Sequence, residues 1–225
     1  MAKMDLYHGS SRILEHPYLG GGRSHNDYGP GLYCTREPEL AKEWACSENS
    51  GGFANHYRLD IEGLRILELN SDKYHILNWL AILLENRTFD LSSPVAVQAK
   101  KYILAHFLPL YHSYDLITGY RADDSYFSFS RAFLSNTLSL EQLRRAMKLG
   151  KLGEQVVLRS REAFRKLEYI EAIPSNRNIY YPKKIERDQQ ARQDYIMMSS
   201  EENPADAVYV IDIIRQKWNN DDPRL

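Results

Sequence analysis

Two short motifs near the start of the chain carry residue types that could grip a planar ring. They are Leu6-Tyr7-His8-Gly9-Ser10 and Gly29-Pro30-Gly31-Leu32-Tyr33-Cys34-Thr35, the second running into a segment that carries Trp44. In the first, an apolar strand ends in an imidazole and a glycine, so a directional side chain and a bare stretch of backbone arrive at one place. The second sets glycines before a strand that ends in a phenol. A planar, amide-bearing ring such as nicotinamide suits this combination. Tyr33 and Trp44 offer faces for stacking, and the Gly9 backbone can take a carboxamide.

Singly, these residues are ordinary: a histidine after an aromatic residue is commonly a satisfied structural group, and sheet tyrosines and helical tryptophans are commonly core. Together they are more telling. His8-Gly9-Ser10, then Gly31-Leu32-Tyr33, then Trp44 at matching intervals resembles the signature of the ADP-ribosyltransferase superfamily, in the His-Tyr-Glu branch that includes diphtheria-toxin-like enzymes and the poly(ADP-ribose) polymerases. More closely, the chain looks like a bacterial family of uncharacterised domains placed in that superfamily. Tyr114-Asp115, Gly119, Ala122-Asp123-Asp124 and a Gln155-centred strand carry that likeness, which runs from Asp5 to Ile170.

The resemblance implies an α+β fold, with a split, mostly antiparallel sheet, surrounding helices and a helical C-terminal tail. It implies NAD as substrate and transfer of ADP-ribose to a macromolecular acceptor, protein or nucleic acid, with hydrolysis of NAD as the variant in which water is the acceptor. Cleaving the nicotinamide–ribose bond creates an oxocarbenium-like sugar, so the site must grip the ribose hydroxyls and set a polar or negative group beside the developing charge. On the family pattern His8 orients the dinucleotide through the adenosine-side ribose, and Tyr33 and Trp44 sandwich the nicotinamide. Gly9, Ser10, Gly31, Leu32 and Ala41 line the same place. Arg23 and His25, in the glycine-rich loop, are candidate phosphate or adenine contacts. Relatives of the closer family are often encoded beside a small partner protein, which points by analogy to a toxin with an antitoxin-like partner.

The third catalytic group stays open. Glu154 matches the catalytic glutamate of the polymerases if Val156-Val157-Leu158 is laid on their apolar run; Gln155 matches the glutamine of the closer family. Adjacent strand residues point to opposite faces, so one of the two enters the pocket. Glutamine could bind a hydroxyl but not act as a base, favouring an acceptor that needs little deprotonation. Asp123-Asp124 is a further candidate, and equally a turn with a local side-chain hydrogen bond.

Composition bounds these readings. The chain has 225 residues, 43% hydrophobic and 12% aromatic, enough for a full core. The formal charge of −1 gives no overall basic field for sequence-independent nucleic-acid binding. Gly20-Gly21-Gly22 lacks the lysine and hydroxyl residue of a phosphate-binding loop and the strand–helix context of a dinucleotide fingerprint. His75, His106 and His112 share no metal-ligand spacing, and Cys34 and Cys46 form no zinc pattern, so no metal is expected. With no apolar run long enough to span a bilayer and no signal-peptide core, a cytoplasmic protein with reduced thiols is expected.

The elements that must position these groups follow from periodicity. Strands are expected at Leu6–His8, Arg58–Ile61, Leu64–Glu68, Tyr114–Gly119 and Glu154–Ser160, with a loop over Gly20–Asp27. Helices are expected over Pro38–Cys46 with Thr35 as N-cap, Lys73–Glu85, Val95–Leu108, Leu140–Leu149 behind a Ser139/Gln142 capping box, and Arg161–Leu167. The expected organisation is one domain over 1–174 with a helical insertion at about 72–111, followed by a helical extension over 175–225.

Overall fold

The strand expected around Leu6 is longer than its apolar core. In the computed structural model, which describes residues 2–22, 25–121, 124–147, 149 and 153–225 (backbone alone for 124–126), β1 spans Lys3–Ser10. β2 is Leu32–Cys34, β3 Gly52–Asp60, β4 Ile66–Glu68, β5 Leu116–Tyr120, β6 Glu154–Leu158 and β7 Leu167–Ser175. One sheet has the order β1-β3-β7, antiparallel throughout. The other has the order β2-β6-β5-β4, antiparallel except for β4 beside β5. With eight helices among the described residues, the protein is mixed α+β.

The chain forms two compact units. The first takes Met1–Glu68, Tyr111–Arg121 and Gly153–Arg187, and so holds both sheets. It also holds α1 (Pro38–Ala45), α6 (Arg161–Arg165) and the start of α7 (Arg177–Ser199). Its core gathers one face of each sheet: Leu6, Tyr57 and Leu59 from the first, and Leu32, Cys34, Leu116, Val156 and Leu158 from the second, with Ala163 of α6. Each large side chain buried there contributes ~1.5–3 kcal/mol through removal from water.

The second unit takes Leu69–Leu110, Ala122–Leu152 and Asp188–Leu225. Its helices are α2 (Ile76–Asn86), α3 (Pro94–Phe107), α4 (Asp124–Leu134), α5 (Leu140–Ala146), the remainder of α7 and α8 (Val210–Arg215). α2 is apolar almost all round, with Leu77, Trp79, Leu80, Ala81 and Ile82 buried, as a helix at the centre of a bundle must be. Its one buried polar residue is satisfied: the Asn78 amide donates to the Phe107 carbonyl at 2.8 Å and to Asn220 Oδ1. α5 opens with the expected reciprocal capping by Ser139 and Gln142. No helix among the described residues is long and apolar enough to cross a membrane.

Three local expectations need correction. Thr35 is not the N-cap of α1. Pro38, whose fixed φ and missing N–H suit the first helical position, sets the start, and Glu37 holds the cap position. Thr35 is instead extended: its backbone exchanges two hydrogen bonds with Tyr7, and its hydroxyl accepts from the Glu37 N–H. β3 begins at Gly52, six residues before the expected Arg58, because the polar Asn55 sits fully buried within it. β7, not anticipated, takes over where a helix was expected to continue to Leu167. It is an edge strand, so Pro174 removes no central ladder bond.

Candidate functional site

β1 presents its two sides to different partners. Tyr7 takes and gives backbone hydrogen bonds with Thr35, at 2.8 and 2.9 Å, away from β3. By the alternation of an antiparallel strand, Gly9 turns its N–H and C=O to that same side, beyond the short bridge. His8, between them, joins the two sheets through its side chain. Its Nδ1 lies 2.7 Å from the Tyr33 carbonyl oxygen. A carbonyl only accepts, so Nδ1 carries the proton and Nε2 is left as an acceptor. Burial pushes the His8 pKa below its ordinary value, which keeps the ring neutral. Opposite His8, the buried Asn55 donates to the carbonyls of His8 and Arg12 and accepts from the Leu14 N–H at 2.8 Å, fixing the chain as it leaves β1. Ser10 shares the His8 face by alternation, and its hydroxyl accepts from the Arg12 N–H.

Gly9 lies directly under α1. A β-carbon at that position would stand 2.2 Å from the Ala41 carbonyl oxygen and 2.7 Å from Trp44 Cβ, so only glycine lets the helix that carries Trp44 pack on the strand that carries His8. Gly31 is constrained in the same way, by the Leu158 carbonyl oxygen at 2.5 Å. Ala41 is fully buried and meets Gly9 through its carbonyl.

The Tyr33 hydroxyl is committed to the loop before it. It donates to the Gly29 carbonyl at 2.6 Å and accepts from the Tyr28 N–H at 3.0 Å. Tyr28, fully buried, donates in turn to the Tyr120 carbonyl at 2.5 Å, tying the loop to the end of β5. What Tyr33 offers is therefore its ring rather than its oxygen. The Trp44 indole has its Nε1 buried with no partner among the described residues, and the Arg121 guanidinium lies 4.6 Å from the indole centroid.

Register separates the two candidates on β6. Tyr33 pairs with Val157, and Val157 with Ile117; Gln155 pairs with Gly119. Directly opposed residues share a face and alternate residues return to it, so Gln155 is on the Tyr33 face and Glu154 on the opposite one, with Cys34, Val156 and Leu158. Gln155 is 5% exposed, its Oε1 has no partner among the described residues, and the residue beside it on β5 is a glycine. Glu154 is half-buried at the strand end opposite Tyr120, whose phenol pKa is raised by burial and then by the Glu154 charge.

α1 is fastened from behind by α7. Arg187 donates from Nε and Nη2 to the two oxygens of the buried Glu43, both at 2.9 Å, and Lys184 donates to the Cys46 carbonyl at 3.0 Å. Tyr180 and Lys183 reach Glu39. These α7 residues recur at helical spacing and so form one face. Together with Asn55, they are the supporting groups that motif reading overlooked.

The structure thus joins His8 to the Tyr33 backbone and packs Gly9 against Ala41 and Trp44, with Gln155 on the Tyr33 face of the second sheet and Glu154 on the other; Leu32 lies in the core, Gly31 meets Leu158, and the Ser10 hydroxyl is bonded within its own turn. Arg23 and Asp123 lie outside the described residues, Asp124 is the first residue of α4, and His25 is exposed. Among the described residues no three histidine, cysteine or acidic side chains are placed to hold a metal ion.

The sequence model of one family, described as "Protein of unknown function (DUF3990)", matches residues 4–169, and the chain belongs to that family. No curated protein and no solved structure matches it.

Proposed function

We propose that this member of the DUF3990 family cleaves NAD at the nicotinamide–ribose bond and transfers ADP-ribose to a macromolecular acceptor, on an ADP-ribosyltransferase-like fold. The observation that carries the reading is the join between the two motifs. The His8 imidazole is hydrogen-bonded to the backbone of Tyr33, while Gly9 is packed beneath the helix of Trp44. Residues far apart in the chain, chosen for ring stacking and carboxamide binding, are thereby neighbours.

The residues present fit the dinucleotide. Gly9 turns a donor and an acceptor to one side, as a carboxamide requires. The neutral His8 keeps Nε2 for a ribose hydroxyl, and Gln155 carries a buried acceptor with no donor among the described residues. In the reaction, the electron pair of the broken bond leaves with nicotinamide, the acceptor nucleophile closes on the ribose carbon, and its proton passes to solvent. Gln155 binds a hydroxyl beside that carbon.

Incubating the purified chain with NAD and measuring free nicotinamide tests this. Release that is lost in Gln155→Ala and in Tyr33→Ala, and kept in Glu154→Ala, is the expected result; no release under any acceptor condition refutes it. The amide at position 155 favours one second reading, a module that binds NAD without turnover, because no carboxylate of β6 shares the Tyr33 face. Binding of NAD without release of nicotinamide would support that module.

A further inference from the structure

The indole that the nicotinamide reading assigns to ring stacking already carries a planar cation. Arg121 lays its guanidinium 4.6 Å from the Trp44 ring centroid, and both residues belong to the first compact unit. Each of the two is half-buried. The contact joins α1 to the end of β5, since Arg121 directly follows Tyr120, the last residue of that strand.

The backbone leading into Arg121 is fixed. Gly119 pairs with Gln155 on β6, and the Tyr120 carbonyl accepts from the Tyr28 hydroxyl at 2.5 Å. Tyr28 also donates its N–H to the Tyr33 hydroxyl, so one residue ties the peptide before Arg121 to the turn that holds the Tyr33 ring. Arg121 therefore reaches Trp44 from a strand end anchored to the Tyr33 turn. With the backbone held, rotation about its side-chain bonds suffices to lift the guanidinium from the indole.

An aromatic face attracts a planar cation through its quadrupole, and one face of one indole holds one such group at stacking distance. In oxidised NAD the nicotinamide is a pyridinium, planar and positively charged like guanidinium, and it leaves as a neutral ring. Any ring that stacks on the face Arg121 covers must first displace it. A cationic ring regains the attraction that is lost, whereas a neutral ring does not.

We propose that Arg121 is a side-chain plug on the Trp44 face, displaced by the pyridinium of NAD and returning as neutral nicotinamide leaves, an inference that rests on the NAD reading above. The indole then favours the cationic substrate ring over its neutral product, and Arg121 sets how firmly either is held.

Titration calorimetry on the full wild-type and Arg121→Gln chains tests this, with nicotinamide, nicotinamide methylated at its ring nitrogen (a cation) and NAD as separate probes. Removing the competing stack predicts about two- to five-fold tighter binding of both small rings in Arg121→Gln. In NMR spectra of the wild type, the Arg121 side-chain protons lie upfield under the indole ring current and move to ordinary positions as the methylated ring saturates the chain. Unchanged or weaker binding of the rings in Arg121→Gln, no binding of either ring, or an Arg121 signal that stays upfield at saturation overturns the plug and leaves a packing contact. NAD that binds while Arg121 stays on the indole overturns the plug and leaves the NAD reading standing. A methylated ring that displaces Arg121 in a chain that neither binds NAD nor releases nicotinamide keeps Arg121 as the plug of a planar-cation site and overturns the dinucleotide reading.

Discussion

Replacing Arg187 with methionine isolates the brace behind α1. In the wild-type protein the Glu43 side chain is 4% exposed and its two oxygens each accept from Arg187 at 2.9 Å, while Arg187 keeps 29% exposure. Removing the guanidinium strands a carboxylate where little water can reach it. Breaking one side of a buried pair costs about 3–5 kcal/mol, and the partial exposure of Arg187 places this case near the lower end, at ~3 kcal/mol. For a chain of this size that lowers the melting temperature by roughly 6–12 °C. Lysine at 187 keeps the charge but loses the fork and falls between. The double change Glu43→Leu with Arg187→Met recovers all but ~1 kcal/mol, since no uncompensated charge is left. Thermal and urea melts of the four proteins measure this, with tryptophan emission followed in a Trp79→Phe, Trp218→Phe background so that it reports Trp44. A loss under ~1 kcal/mol in Arg187→Met would show that solvent screens the pair, and that α7 does not secure the helix carrying Trp44.

Other outcomes follow from the same geometry. Gly9→Ala drives a β-carbon into the Ala41 carbonyl and Trp44, so it should lose ~1–3 kcal/mol in urea melts and shift Trp emission, with a silent substitution counting against the proposed packing. Tyr33→Phe removes the bonds to Gly29 and Tyr28 but keeps the ring. It should lose ~1–3 kcal/mol and speed amide exchange over 28–33 while nicotinamide binding survives. His8 has a folded pKa depressed by burial from an ordinary 6.5, so its contribution to stability is complete above about that pH and declines as pH falls towards the folded value. Melts between pH 7 and 5 should therefore show a shallower decline in His8→Asn than in the wild type; His75, depressed by burial in the same direction, supplies a remainder common to both.

Much of this arrangement is legible in the residues alone, and the limits are instructive. His8-Gly9-Ser10 and Gly31-Leu32-Tyr33 announce themselves because strand ends rich in glycine have few uses. The choice between Glu154 and Gln155 is not legible, because Val156 and Val157 make both faces of β6 apolar and alternation carries no label for which face is which. Only the pairing of Tyr33 with Val157 supplies the label. β7 is hidden by Glu168, Glu171 and Pro174, which read as surface or breaker until the edge position in the sheet explains them. Asn55 reads as a loop residue, yet its amide replaces backbone partners inside the fold, which no local propensity encodes. The Gly9 spacing is visible in the sequence, but the helix lying on it is not.

The family match ends at 169, whereas the last strand of the first sheet runs to Ser175 and the guanidinium that covers Glu43 sits at 187. A gene fragment cut at the edge of the matched stretch would thus expose most of one side of β3 and leave an acid stranded behind the tryptophan. Expression boundaries, and any transplant of this module into another protein, belong beyond Arg187.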